Sequence, residues 1–167
     1  AKAVFGKTRI TADRFHVSKL YRKKLIIVRK SELKRLKKSL TEEEYKVLKS
    51  ATAILRKGKD YFTDDERKIL EPLFELSPKL HLAYTFSHQL TTIFNSKIKK
   101  KKAIALLESW IENVTNSKLN AFNSFIHTLN KHMNEISNYF KERNSSGFVE
   151  GFNNRIKVLT RRCYGLG

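Results

Sequence analysis

"TRITADRFHVSKLYRKKLIIVRKSELKRLKK", residues 8–38, starts in one rhythm and finishes in another. Its opening sets the β-branched residues Thr8, Ile10 and Thr11 before Asp13, which reads as a short strand running into a turn. From Ser18 to about Lys38 the apolar residues fall at helical spacing instead: Tyr21, Leu25 and Val28, then Leu33 and Leu36, with Leu40 beyond. Between Lys19 and Lys38 ten residues are Lys or Arg, so the outer surface of that helix is intensely positive. The fold class depends on which rhythm the rest of the chain keeps.

It keeps the second. "TEEE" at Thr41 is a capping box, in which the hydroxyl accepts from the N3 amide and Glu44 reaches back. "TDDE" at Thr63 repeats the signal with Glu66, and Gly58 between them is a plausible helix stop. Pro72 either kinks the third helix or restarts it, whereas Pro78 suits the first turn of the next, which carries Leu82, Phe86, Leu90 and Ile93. Ile104, Leu107, Ile111 and Val114 form a further stripe with Trp110 beside it. Leu119, Phe122, Ile126, Leu129, Met133, Ile136 and Phe140 then alternate three and four steps, which predicts one long helix packed along another. The expected fold is therefore mainly α, with a short N-terminal strand.

At 167 residues the chain suits a single domain, and 40% apolar residues are enough to bury a core. A net charge of +19, from 35 Lys and Arg against 16 Asp and Glu, points to a polyanionic partner, with nucleic acid the default. No apolar run is long enough to span a membrane and no terminal amphipathic anchor stands out, so no membrane partner is expected. Cys163 is the single cysteine, which excludes an internal disulfide framework and a cysteine-based zinc site. With no signal-peptide pattern, a reducing, cytoplasmic setting is expected. The first residue is Ala1 rather than Met, which suggests a fragment or an engineered boundary.

The chemistry candidates lie at the two ends. On a helix beginning after Gly147, Val149, Phe152, Ile156, Leu159 and Cys163 form an apolar stripe. Glu150, Asn153, Asn154, Lys157 and Arg161 fall on an adjacent polar face, with Arg162 next in sequence. A first-turn carboxylate is favoured by the helix dipole, which is the plain reading of Glu150. The sharper reading is a metal-binding carboxylate with amides and cations beside it to hold phosphates. Asp13, at the tip of the expected strand, is the other acid suited to a hard divalent ion such as Mg²⁺.

"TADRFHV" at residues 11–17 and "SSGFVEGFNNRIKVLTRRCYG" at residues 145–165 resemble the two ends of the C-terminal catalytic region of bacterial insertion-sequence transposases. The type is ISL-three, of the DDE, RNase H-like class. "LTEEEYKVL", "SPKLHLAYTFSHQLTTIF" and "ALLESWIENV" occur between them in the expected order, so the resemblance covers essentially the whole chain. It implies that Asp13 is the second and Glu150 the third acid of a catalytic and metal-binding triad. It implies Mg²⁺ or Mn²⁺ in the intact enzyme, with weak or no binding here, and DNA cleavage and strand transfer at the element's ends. Arg14, His16, Asn153, Asn154, Lys157, Arg161 and Arg162 become DNA-binding candidates, and the intact enzyme a possible homo-oligomer in the bacterial nucleoid.

On this reading residues 1–17 are a strand and turn of the RNase H-like core, 18–140 a helical insertion, and 145–167 the catalytic-helix segment. The family's first catalytic aspartate precedes "DRFH" and is not in this sequence, so the isolated chain is expected to be inactive. The alternative, from a different class, is a basic helical nucleic-acid-binding protein without catalysis.

Several residues carry weaker signals. Arg14 and His16 serve equally well as turn stabilisers, and the pairs His81 and His88, and His127 and His132, lack a ligand spacing with a nearby acid. Trp110 and Cys163 read as core residues, and Lys99 to Lys102 as a solvated helix start.

Overall fold

A computed structural model describes residues 11–142 and Arg155. The longest helix, α1 (Arg14–Leu36), is followed by α2 (Glu42–Ser50), α3 (Asp64–Leu76), α4 (Pro78–Asn95) and α5 (Lys100–Asn116). Three short helices close the described part: α6 (Asn123–Lys131), α7 (Met133–Ser137) and α8 (Tyr139–Glu142). The fold is mainly α, and among the described residues there is no strand.

The start of α1 corrects the expectation at the N-terminus. Residues 1–10, where most of the expected strand falls, lie outside the described residues. Helix begins at Arg14 rather than Ser18, and Asp13 stands as its N-cap, not at a strand tip. The Asp13 carboxylate accepts from the Phe15 backbone amide at 3.2 Å, satisfying one of the helix's orphan donors.

Both capping boxes form. Thr41 accepts from the Glu44 amide and Glu44 accepts from the Thr41 amide at 2.8 Å; Thr63 and Glu66 do the same, the return bond at 3.1 Å. Helix α2 ends at Ser50, well before Gly58. There the Ser50 and Thr52 hydroxyls donate to the carbonyls of Val47 and Lys49, competing with the backbone for the last turn. Gly58 sits instead between two 3-10 turns. Pro72 does not restart the helix: α3 runs through it to Leu76, with the proline exposed. Ser77 caps α4 and Pro78 occupies its first turn.

Helices α1 and α4 form the antiparallel trunk. Tyr21 of α1 is fully buried, stacks on Phe94 of α4 at 6.4 Å and shares a hydrogen bond with Thr91 at 3.0 Å. Around it Phe86, Trp110, Phe122 and Phe125 meet edge to face, with ring centroids 5.7 to 6.5 Å apart. Trp110 is a core residue: its indole N–H donates to the Phe86 carbonyl at 3.0 Å, so its own buried donor is satisfied. Burying each of these side chains contributes about 2 kcal/mol before entropy is charged against it.

The long helix expected over residues 119–140 is broken. A 3-10 turn at Asn120–Phe122 precedes α6, and the path bends again at His132, whose φ of −120° and ψ of 22° leave the helical region. Phe122, Leu129, Ile136 and Phe140 are nonetheless buried. Periodicity reported which side faces inward; it did not report continuity. Lys100, inside the basic run that read as solvated, donates to Asn134 and, at 2.7 Å, to Asn138, tying the short helices to α5.

Candidate nucleic-acid interface

The first turn of α1 brings three of the sequence-derived site residues together. The Asp13 side chain is 17% exposed; one oxygen caps the helix and the other lies 2.9 Å from Nδ1 of His16. The i, i+3 spacing puts the imidazole over the cap, where it fixes the carboxylate's orientation while its own ring stays largely in solvent. Arg14 turns the other way. Its guanidinium donates to the Tyr139 hydroxyl at 3.2 Å and to the Asn95 side-chain carbonyl, and lies 5.8 Å from the Tyr139 ring centroid. The Ala12 amide donates to the Glu135 carbonyl at 3.0 Å. Two side-chain bonds and one backbone bond therefore pin the start of α1 to α4, α7 and α8. Glu150, Asn153, Asn154, Lys157, Arg161 and Arg162 lie outside the described residues.

A groove of about 670 Å³ runs from this end along α1 and α4. Its α1 wall carries Lys19, Arg22, Lys23 and Arg29, which helical spacing places on one side. The α4 wall is polar and carries no Lys or Arg, with Ser87, Thr91 and Thr92 among its residues, and Arg56, Gly58 and Tyr61 reach the groove from the 3-10 region. No Asp or Glu lines it. Phe15 at the Asp13 end is 50% exposed, and Tyr61, also lining the groove, is 77% exposed.

Charge in the groove is held at a cost to the fold. Burial pushes the Arg29 guanidinium below its usual range; Tyr45 opposes this, and the neighbouring Arg56 charge adds a lesser push in the direction of burial. Arg29 donates to the Thr52 hydroxyl, yet its Nε is buried without a hydrogen-bond partner among the described residues. Tyr84, which donates to the Lys57 carbonyl at 2.9 Å, has its phenol pushed up to about 12 by burial and by Asp60. Sequence reading noted the density of cations on α1 but missed Arg56, Tyr61 and His88, which reach the groove from other segments. The spacing of Lys19, Arg22, Lys23 and Arg29 was the available signal for the α1 wall.

A family model described as "Transposase", covering the DDE enzymes of the ISL-three type, matches residues 1–167. This chain belongs to that transposase family. Among the transposase relatives is the transposase for insertion sequence element IS1001 of Bordetella parapertussis, 26% identical over 157 residues, 93% of this chain and 38% of that protein. The transposase for insertion sequence element IS1557 of Mycobacterium tuberculosis is 24% identical over 123 residues, 74% of this chain and 27% of the relative. A Lactococcus lactis protein named an ATP-dependent protease is 28% identical over 115 residues. That name describes that protein; the whole-chain transposase match decides the family here. The chain thus spans well under half of the curated transposases it matches. No solved structure matches it. Among the described residues no cluster of three or more His, Cys, Asp or Glu could hold a metal, and no helix is long and apolar enough to cross a membrane.

Proposed function

We propose that this chain is part of the catalytic region of a DNA transposase, in which Asp13 and Glu150 are two of three carboxylates that bind a divalent metal, Mg²⁺ or Mn²⁺. The observation that carries this reading is the whole-chain family match, which takes in both acidic motifs. The Asp13 site supports it. Its carboxylate, oriented by the Phe15 amide and by His16, is the kind of hard oxygen donor that Mg²⁺ and Mn²⁺ take. When bound, the ion stabilises the charge that develops on the phosphoryl group during strand cleavage and transfer.

The chain's own residues do the remaining work. His16 holds the Asp13 carboxylate in one orientation, and the bonds of Arg14 to α4 and α8 keep the helix start in place. The cations of α1 draw the DNA backbone towards that end. We assign residues 18–140 to the helical insertion, 1–17 to the edge of the RNase H-like core and 145–167 to the catalytic-helix segment, in a cytoplasmic enzyme acting on insertion-sequence ends as a homo-oligomer. Without the first aspartate the isolated chain is inactive.

The test compares Asp13→Asn with wild type in the full-length transposase. Asn caps a helix as well as Asp does, so folding is retained while a metal-binding charge is lost. Cleavage of element ends should fall by three orders of magnitude or more, on the order of the loss of a key catalytic group. Wild-type cleavage by Asp13→Asn, or Mg²⁺-dependent cleavage by the isolated chain that Asp13→Ala abolishes, defeats the respective claim. A second reading, a nucleic-acid-binding module without catalysis, draws on the acid-free basic groove, which needs neither carboxylate.

A further inference from the structure

The groove between α1 and α4 has a shape and lining that select among polyanions. We infer that it binds one unpaired DNA strand, with phosphates along the α1 cations and bases against Tyr61 and Phe15. The inference deepens the DNA-binding part of the reading above and rests on it for the choice of DNA, but not on the Asp13 site.

Three observations lead there. The first is charge. Lys19, Arg22, Lys23, Arg29 and Arg56 line a groove that contains no acid, and none of the five has a carboxylate partner among the described residues. From Lys19 to Arg29 the helix rises about 15 Å, close to the length occupied by about four phosphates of one strand. Such an array matches a repeating charge better than a lone anion.

The second is size. A groove of about 670 Å³ is in the range of small-ligand sites and admits one strand. A duplex, whose major groove alone is about 12 Å wide, touches only the rim.

The third is the pair of exposed rings. Most large apolar side chains here are buried, yet Tyr61 and Phe15, both lining the groove, stand open to solvent. Aromatic faces beside a positive track are the chemistry of sequence-tolerant single-strand binding. An acidic peptide offers charge for the track but no base to stack. Ser87, Thr91 and Thr92 on the opposite wall add hydroxyls for phosphate or sugar oxygens.

The position of Gly58 adds a constraint. A Cβ there would come within 2.7 Å of His88 Nε2 and 3.3 Å of a Tyr61 ring atom, so the glycine lets both rings close on the end of the groove.

The experiment measures binding of the full chain to a labelled oligothymidylate of about 12 nucleotides, within the span of known single-strand sites, and to a duplex with the same number of phosphates. The single strand should bind more tightly than the duplex. Tyr61→Ala should weaken it about ten-fold, and Arg56→Gln should reduce the log–log salt slope by about 0.7, the contribution of one phosphate contact on a single strand. Lys68→Gln, which removes an exposed cation outside the groove, should leave that slope unchanged.

Equal or tighter duplex binding, wild-type affinity in Tyr61→Ala, equal slope changes in Arg56→Gln and Lys68→Gln, or competition by polyglutamate as strong as by the oligonucleotide would each overturn the inference. Strand cleavage is not read in this experiment. Failure of the groove is therefore distinguishable from failure of the Asp13 site.

Discussion

Glu32 and Ser77, 45 residues apart, meet in the interior: the Ser77 hydroxyl donates to the Glu32 carboxylate at 2.7 Å. The same carboxylate accepts from Arg35 at 2.8 and 3.0 Å, and Arg35 also donates to the Leu76 carbonyl. Ser77 accepts from the Leu80 amide as the cap of α4. One acid thus joins the C-terminal part of α1 to the junction of α3 and α4. Glu32→Ala, which strips a buried charge-assisted network, should destabilise the chain by about 3 kcal/mol. Urea unfolding at neutral pH measures it, and a loss below about 0.5 kcal/mol would show that the network is dispensable.

The same network gives the chain an acid limb. Burial pushes the Glu32 carboxyl up, but its bonds from Ser77 and Arg35, with the charges of Arg35 and Lys79, outweigh that and lower it below 4.5. Glu44, bonded to Thr41, and Glu66, bonded to Lys57 and Thr63, are lowered as well. A carboxyl lowered in the folded state adds stability above its unfolded value, and that stability is lost as pH falls through the folded value. Unfolding free energy should therefore decline below about pH 4.5, less steeply in Glu32→Gln. On the alkaline side Tyr84, raised to about 12, has the opposite sign: its contribution is intact below about pH 10 and lost as pH climbs to about 12. Tyr84→Phe should flatten that limb.

Asp13 separates two roles that one carboxylate combines. Asp13→Ala should cost about 1 kcal/mol through loss of the cap, whereas Asp13→Asn should leave stability nearly unchanged. Thermal unfolding of the two variants beside wild type is sufficient. Equal destabilisation by both would mean that the contact with His16, not the cap, holds the helix start.

Gly58→Ala should disturb the groove more than the core. The added methyl meets His88 Nε2 at 2.7 Å, so that ring or the 3-10 region must shift, at a cost on the order of 1 kcal/mol. Oligonucleotide affinity should fall with it, because Tyr61 borders the same space. Unchanged affinity would show that the groove's end is loose.

The parts of this fold that could be read from sequence were those decided within a few residues. Thr41 with Glu44, Thr63 with Glu66, and Ser77 with Pro78 set helix starts through bonds that close inside one turn. The start of α1 was placed four residues late because Asp13 was read as a strand tip and not as the cap that opens the helix at Arg14. The bend at His132 was hidden, since a buried stripe keeps its spacing whether its helix is straight or broken. Glu32 was hidden for another reason: in a helix so rich in Lys and Arg, a glutamate reads as half of a surface ion pair. Its burial comes from Ser77, which sequence separation conceals. Arg56 and Tyr61 joined the groove only through the fold.

Helix α1 also fixes a phase. Its 23 residues carry the Asp13 end, four of the groove's cations and Glu32 on one rod with no interruption. Inserting a single residue near Arg22 would rotate everything downstream by about 100°, swinging Arg29 out of the groove and Glu32 away from Ser77. Removing seven residues, close to two turns, would keep every side chain facing its partner wall yet shorten the rod by about 10 Å. Length changes in this segment are therefore tolerated only in near-whole turns, and even those move the Asp13 carboxylate relative to the strand that α1 guides.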